Sequence, residues 1–388
     1  MAVYYQMGHQ SLSLIQEPHL AQFKGAILSP FNGEREEIEK DISQLYGKPD
    51  FDLIFDPELY CPGNRSGYLP QWPYFPPALE SGDRGSETWW YQLSQRLADL
   101  CLNLGINKVC SPIDVPKHYH DSFYDLSVFI CGFLTNQLSG SHVQVIQTAV
   151  ISLPDIAQGG RSEQIASILS RTDSKEIYLV LVGNTPSRRE LNQSDDLLGV
   201  MKLISLLEGA GFRVIVSRTS SDIVLWKYAG ASVCATGKHW TSRRYDPKRY
   251  TGGGKSKGMK PYWTEESLLA FLREPDVLRL SRQRLLGDLG DNPYSPVILS
   301  LISNPPPIGK QRPSWVRLGW CQYLYWFAQI ENRIVNEGLD VQTLLLHAEE
   351  KWTRLITRKI RMDEDENNGL NWVRPWRKVV AEFSDWNI

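Results

Sequence analysis

Two aspartates follow short apolar runs and stand beside proline, Asp56 in Asp56-Pro-Glu-Leu-Tyr60 and Asp114 in Ser111-Pro-Ile-Asp114. Proline fixes the backbone next to it, so a carboxylate placed there is held in one position. Paired carboxylates can divide labour: one stabilises a cationic sugar or attacks it, the other activates water. Asp56 and Asp114 are therefore the candidate catalytic pair. Either can instead cap the loop that follows.

A second chemistry is written in residues 238–260, where eight cations stand against Asp246 alone. They are Lys238, Arg243, Arg244, Lys248, Arg249, Lys255, Lys257 and Lys260, with Trp240, Tyr245, Tyr250, Tyr262 and Trp263 among or just after them. Cations neutralise phosphates, and aromatic faces stack on unpaired bases at about 1–3 kcal/mol each. The segment reads as a nucleic-acid contact, with Arg218 from an earlier loop added. Its Gly252-Gly-Gly254 run gives the loop backbone freedom until a partner orders it. A solvated basic loop, or a site for a small anion, fits the same residues. The whole chain carries a net charge of −2, so the remainder is acidic.

Base-binding candidates lie on the loops that close the apolar runs. Asn32, Gln147 and Asn184 carry carboxamides, which both donate and accept at a base edge. Tyr60, Trp72 and Tyr74 belong to a proline-rich aromatic stretch that could clasp a flat ligand or pack as a compact loop. His239 and Trp240 follow a later run, where the histidine serves as acid/base or as a phosphate donor. The six cysteines are scattered with no C-x-x-C, and His118 with His120 lacks an evident third ligand, so no metal is assigned. No phosphate-binding loop, dinucleotide fingerprint or nucleophile elbow is present, and no cofactor is expected.

The elements that must position these groups come from periodicity. Short apolar runs at 25–29, 51–55, 107–111, 143–151, 177–182, 213–217, 232–235 and 277–280 read as strands. Helical spacing fills 35–46, 88–104, 195–210 and 222–229 between them. Eight strands alternating with helices over some 260 residues predict a (β/α)8 barrel at 20–290, with a doubly wound sheet as the alternative. Residues 291–388 read as a helical region packed on the barrel, with long helices at 315–336 and 341–361. In a barrel the loops after the strands carry the chemistry, which is where the polar residues above fall. The N-terminus has no basic segment followed by an apolar one, and no apolar run could span a bilayer. A cytoplasmic protein with no membrane partner is expected.

Residues 219–244, Thr219-Ser-Ser-Asp-Ile-Val-Leu-Trp-Lys-Tyr-Ala-Gly-Ala-Ser-Val-Cys-Ala-Thr-Gly-Lys-His-Trp-Thr-Ser-Arg-Arg244, resemble the late part of a tRNA-guanine transglycosylase-type barrel. Related barrels insert 7-deazaguanines into DNA. The resemblance implies a (β/α)8 fold and cleavage of an N-glycosidic bond. Two departures stand out. The family's catalytic aspartate before the arginine loop has no counterpart in Val233-Cys-Ala-Thr-Gly237, and its cysteine-rich zinc site is missing. Any carboxylate must then come from Asp56 and Asp114. The expectation is a glycosylase or transglycosylase acting on a base, modified or not, in DNA rather than tRNA, with a role in phage defence as one setting. The rival readings are a barrel that binds nucleic acid without chemistry, and an enzyme for a phosphorylated small molecule cradled at Thr236-Gly-Lys238.

Overall fold

The computed structural model describes residues 2–9, 11–77, 79–80, 82–250, 260–304, 313–362 and 369–387. Eight parallel strands close into a barrel in chain order: β1 (Ala2–Gln6), β2 (Gly25–Leu28), β3 (Asp52–Phe55), β4 (Lys108–Cys110), β5 (Gln144–Ser152), β6 (Glu176–Val182), β7 (Arg213–Val216) and β8 (Val233–Thr236). The seam joins β1 to β8 in four register pairs, Ala2↔Val233 through Tyr5↔Thr236. Four of the eight strands, β1, β2, β4 and β8, are buried along their whole length, as expected where helices cover one face and the barrel interior fills the other.

The barrel prediction holds, with two corrections. The first strand is Ala2–Gln6, upstream of the expected barrel start at residue 20. The run at 277–280 is no strand: it lies in the helix Glu274–Arg282, with Pro275 in its first turn. Proline suits a helix start, because the missing N–H has no partner there anyway.

Local chemistry fixes several elements. Ser86 caps the helix Glu87–Leu104 by accepting from the Trp89 N–H, and Gly105 ends it at φ 69°. Gly25 has no room for a side chain: a Cβ would lie 2.8 Å from the Asp52 carbonyl and 2.9 Å from the Tyr4 ring. That close approach lets β2 pass a layer of charge at the amino end of the barrel. There Lys108 and Arg213 each bridge Asp52 and Glu176 at 2.7–3.2 Å, and Tyr4 joins them. Burial opposes the Asp52 charge, but the Tyr4 hydroxyl and Lys108 outweigh it and hold its carboxyl low.

The region after the barrel is packed into it. An antiparallel pair, β9 (Trp263–Glu265) and β10 (Ala270–Leu272), leads to the helices Val316–Val335, Val341–Thr357 and Val373–Trp386. Lys227, fully buried, donates to Glu331 at 3.1 Å and to the carbonyls of Ala2 and Ser232 on either side of the seam. Among the described residues no helix is long and apolar enough to cross a membrane.

Candidate functional site

The loop after β3 turns sharply into the barrel mouth. Glu58 sits at φ 50°, a left-handed conformation unusual for a residue with a Cβ. That turn directs both Asp56 and Glu58 inward, and both are 1% exposed. Asp56 accepts from the Tyr60 hydroxyl at 3.0 Å, the Tyr178 hydroxyl at 3.2 Å and the Glu58 N–H at 2.9 Å. Tyr178 comes from β6 and also donates to Gln6 at the end of β1.

Glu58 is held by two guanidinium groups. Arg218, at φ 53° after β7, donates to it at 2.5 Å and comes within 3.9 Å of Asp56. Arg249 reaches it at 3.2 Å and donates to Ser29, whose hydroxyl in turn donates to Glu58. The two carboxyl groups respond oppositely. Burial, reinforced by the Glu58 charge, pushes Asp56 up to about 6. Burial also opposes the Glu58 charge, but Arg249 and Arg218 prevail and hold its carboxyl below the usual range. Adjacent acids driven apart in this way are what acid/base chemistry requires.

Asp114 lies outside this cluster. It is 5% exposed and pairs with Arg84 at 2.9 Å, and burial raises its carboxyl against the pull of that arginine. The main-chain link from Val115 N–H to Tyr60 carbonyl keeps its loop beside the mouth. Asp56 is thus joined by Glu58, a residue inside the Asp-Pro-Glu run that sequence reasoning did not single out. The signal was there: a second acid three residues after a strand end and two after Asp56.

The cations fall largely inside the protein. Arg218, Arg243 and Arg244 are buried, and so is the side chain of Arg249. Arg243 lies 3.6 Å from the Tyr323 ring centre and donates to the Gly237 and Lys238 carbonyls. Arg244 faces Glu190 at 3.2 Å and Asp222 at 3.5 Å. These four arginines hold the loop down rather than offering a surface to phosphates, which corrects that expectation. Lys238 is buried with its ammonium 4.8 Å from the Trp320 ring, and burial lowers it to about 8. Lys248 is exposed; Lys255 and Lys257 lie outside the described residues. The cradle at Thr236-Gly-Lys238 is filled too, with the Thr236 hydroxyl 2.6 Å from that of Tyr323.

The base-binding candidates separate in the same way. Trp72 and Tyr74 are buried against Phe55 and donate to the Pro30 and Pro57 carbonyls, so their loop is packed rather than open to a ligand. Gln147 is fully buried and pairs in register with Ile177, on the opposite side of the sheet from the Thr148–Tyr178 pair that faces the interior. It cannot reach a base at the mouth. Asn32, half-buried, donates to Ser29 at 2.8 Å, beside Glu58. Asn184 is exposed on the loop after β6. His239 is half-buried against Trp320; burial, with Lys238 and Arg243 nearby, depresses it to about 4, so it is neutral at pH 7. Trp240 stands edge-on to Tyr262 and Phe271. Only Tyr60 of this group touches the acids directly. Tyr245 and Tyr250 close the mouth above them, stacked at 6.0 Å.

No family model matches the sequence, and no curated protein is significantly similar to it. Solved barrel structures are similar at low identity. A 3-hexulose-6-phosphate synthase matches at 13% identity and a TM-score of 0.34, over 65% of this chain and 98% of that one. An L-ribulose 3-epimerase matches at 11% and 0.37, over 93% and 99%. A mutant O-GlcNAc hydrolase from Thermobaculum terrenum matches at 12% and 0.39, over 99% and 97%. At such values these likenesses carry no argument; the fold rests on the closed eight-stranded barrel itself.

Proposed function

We propose that the protein is a base-processing enzyme that cleaves an N-glycosidic bond, with Asp56 and Glu58 as its acidic pair in place of Asp56 and Asp114. One observation carries this reading: two buried carboxyl groups lie at the carboxyl end of the barrel beside Arg218, one raised above the usual carboxylate range and the other held below it. Both charged partners of the pair, Glu58 and Arg218, occupy left-handed backbone conformations. Such strain concentrates at sites where function requires the geometry.

Glu58, kept ionised, stabilises the cationic sugar that forms as the bond to the base lengthens. Asp56 takes a proton from water. The water oxygen bonds to the anomeric carbon, and the electron pair of the broken carbon–nitrogen bond leaves with the base. A carboxyl near 6 is ionised at pH 7 yet basic enough for this role. Base exchange would follow if a second base took the place of water.

DNA remains the proposed polymer, in preference to tRNA, and Lys248 and Lys260 are the exposed cations of the basic run among the described residues. The test is incubation with modified and unmodified DNA, scoring released base and abasic sites. Release by the native protein that Asp56→Asn and Glu58→Gln both leave undiminished overturns the assignment. A second reading, binding without chemistry, draws on the closure of the mouth by Tyr245, Arg249 and Tyr250. It requires salt-sensitive DNA binding with no base released under any condition.

A further inference from the structure

A buried base has two states, and its surroundings must suit both. As an anion, Asp56 accepts hydrogen bonds from three groups. The Glu58 N–H reaches Oδ1 at 2.9 Å, the Tyr60 hydroxyl lies 3.0 Å from both oxygens, and the Tyr178 hydroxyl lies 3.2 Å from Oδ2. Once Asp56 has taken a proton from water it becomes a donor. Closed off from solvent, its O–H then needs an acceptor inside the protein.

Tyr178 is the neighbour that can supply one. The Glu58 N–H only donates. The Tyr60 hydroxyl meets no second acceptor among the described residues, so if it received the Asp56 hydrogen its own would be stranded. The Tyr178 hydroxyl has two acceptors within hydrogen-bond distance, Asp56 Oδ2 at 3.2 Å and Gln6 Oε1 at 3.3 Å. It carries a single hydrogen and can serve only one of them at a time. Ser217, a further neighbour of this hydroxyl, gives its own hydrogen to the Leu179 carbonyl. Gln6 and Tyr178 are both buried, and Tyr178 is the one donor that Gln6 Oε1 meets among the described residues.

We infer that Tyr178 and Gln6 are positioning residues for Asp56 and act as a two-position switch. While Asp56 is ionised, the Tyr178 hydroxyl donates to Oδ2. When Oδ2 takes the proton, that hydroxyl turns to donate to Gln6 and accepts from Asp56. No covalent bond of the tyrosine breaks, and the proton gained from water stays on Asp56 until solvent takes it back. The inference rests on the base-processing reading, in which Asp56 is the base, and deepens it. The other charged or titratable groups facing Asp56 are Glu58, Arg218, Cys110, Tyr74 and Tyr250. Arginines hold Glu58 ionised, and burial drives the Cys110 thiol and the Tyr74 and Tyr250 phenols upward. Asp56 is thus the member of this group that changes charge near pH 6.

The test is an infrared pH titration of the full-length protein, with the Asp56 carboxyl band identified by its loss in Asp56→Asn. In the native protein a tyrosine C–O–H band should shift at the same pH, and Tyr178→Phe should abolish that shift. Gln6→Leu strands the turned hydroxyl and should lower the Asp56 midpoint by about one pH unit. Tyr178→Phe removes a donor to the anion and an acceptor for the acid together, so the midpoint should stay nearly where it is. A hydroxyl fixed on Asp56 predicts instead a rise of about one unit in Tyr178→Phe and no change in Gln6→Leu. One fixed on Gln6 predicts a fall in both. Either pattern, a tyrosine band that stays still in the native protein, or the lack of any Asp56 carboxyl band overturns the switch. The native band decides by itself if a variant does not fold. Because the titration needs no substrate, the two proposals fail separately. Base release that depends on Asp56 without these shifts removes the switch alone. The shifts in a protein that releases no base remove the catalytic assignment alone.

Discussion

At the residue scale the decisive contrast is between Asp56 and Glu58, two positions apart and differently served. Asp56 has tyrosine hydroxyls around it; Glu58 has arginines. If Asp56 is the base, base release should fall about tenfold per pH unit below about 6, and Asp56→Asn should cost about 10²–10⁴ in rate. A pH–rate series on both proteins checks this. Glu190 makes a separate prediction about stability. Burial pushes it up to about 7 in the fold, above its ordinary value of 4.5. The folded state then binds the proton more tightly, so the contribution of Glu190 is full below about pH 4.5 and lost as pH rises toward 7. His239, held low, acts oppositely: its contribution is present above about 6.5 and lost as pH falls toward 4. Denaturant unfolding of native protein and Glu190→Gln separates them, because native stability should fall steadily relative to that of the variant, which stays neutral like the protonated acid, from pH 4.5 to 7.

At the element scale the barrel depends on its seam. Lys227 ties both sides of the seam to the helix Val316–Val335, through Ala2, Ser232 and Glu331. Removing one partner of a fully buried pair leaves the other charge stranded, so Lys227→Ala should lower unfolding free energy by about 3–5 kcal/mol. Lys227→Met combined with Glu331→Leu, which removes both charges, should recover much of that loss in the same denaturant experiment. The strands were mostly legible because parallel strands buried on both faces leave continuous apolar runs. β1 was legible too, as Val3-Tyr-Tyr5, had the start of the chain been read for structure. The error at 277–280 has a physical source: Val277 and Leu280 are the buried apolar residues of an amphipathic helix, and the four residues from one to the other look like a short strand. Pro275 and the acids Glu274 and Asp276 in the first turn were the helix signals that should have won.

At the scale of the whole molecule, the basic run shows where one-dimensional reading stops. Along the chain the cations of 238–260 have a single carboxylate among them. In the fold, Arg249 meets Glu58 from the loop after β3, Arg244 meets Glu190 and Asp222 from the loops after β6 and β7, and Arg243 enters a box of rings completed by Tyr323. Partners that distant in sequence are invisible until the barrel closes. The same closure explains why Asp56 was found and Glu58 was passed over: its partners, Arg218 and Arg249, lie 160 and 191 residues away. This has a measurable consequence for DNA binding. Were every cation of the run to contact phosphate, eight counterions would be displaced, and log K against log salt would have a slope of about −7 on duplex DNA. With the arginines committed internally and Lys238 buried, at most four of the eight cations can contact phosphate, and the slope should be no steeper than about −3.6. Fluorescence anisotropy across a salt series measures it directly. Lys248→Gln should reduce the slope by about 1 without altering base preference, whereas Arg244→Gln should leave the slope unchanged. A slope near −7 would require Arg243, Arg244 and Arg249 to leave their buried partners on binding, and with them the cover over Asp56.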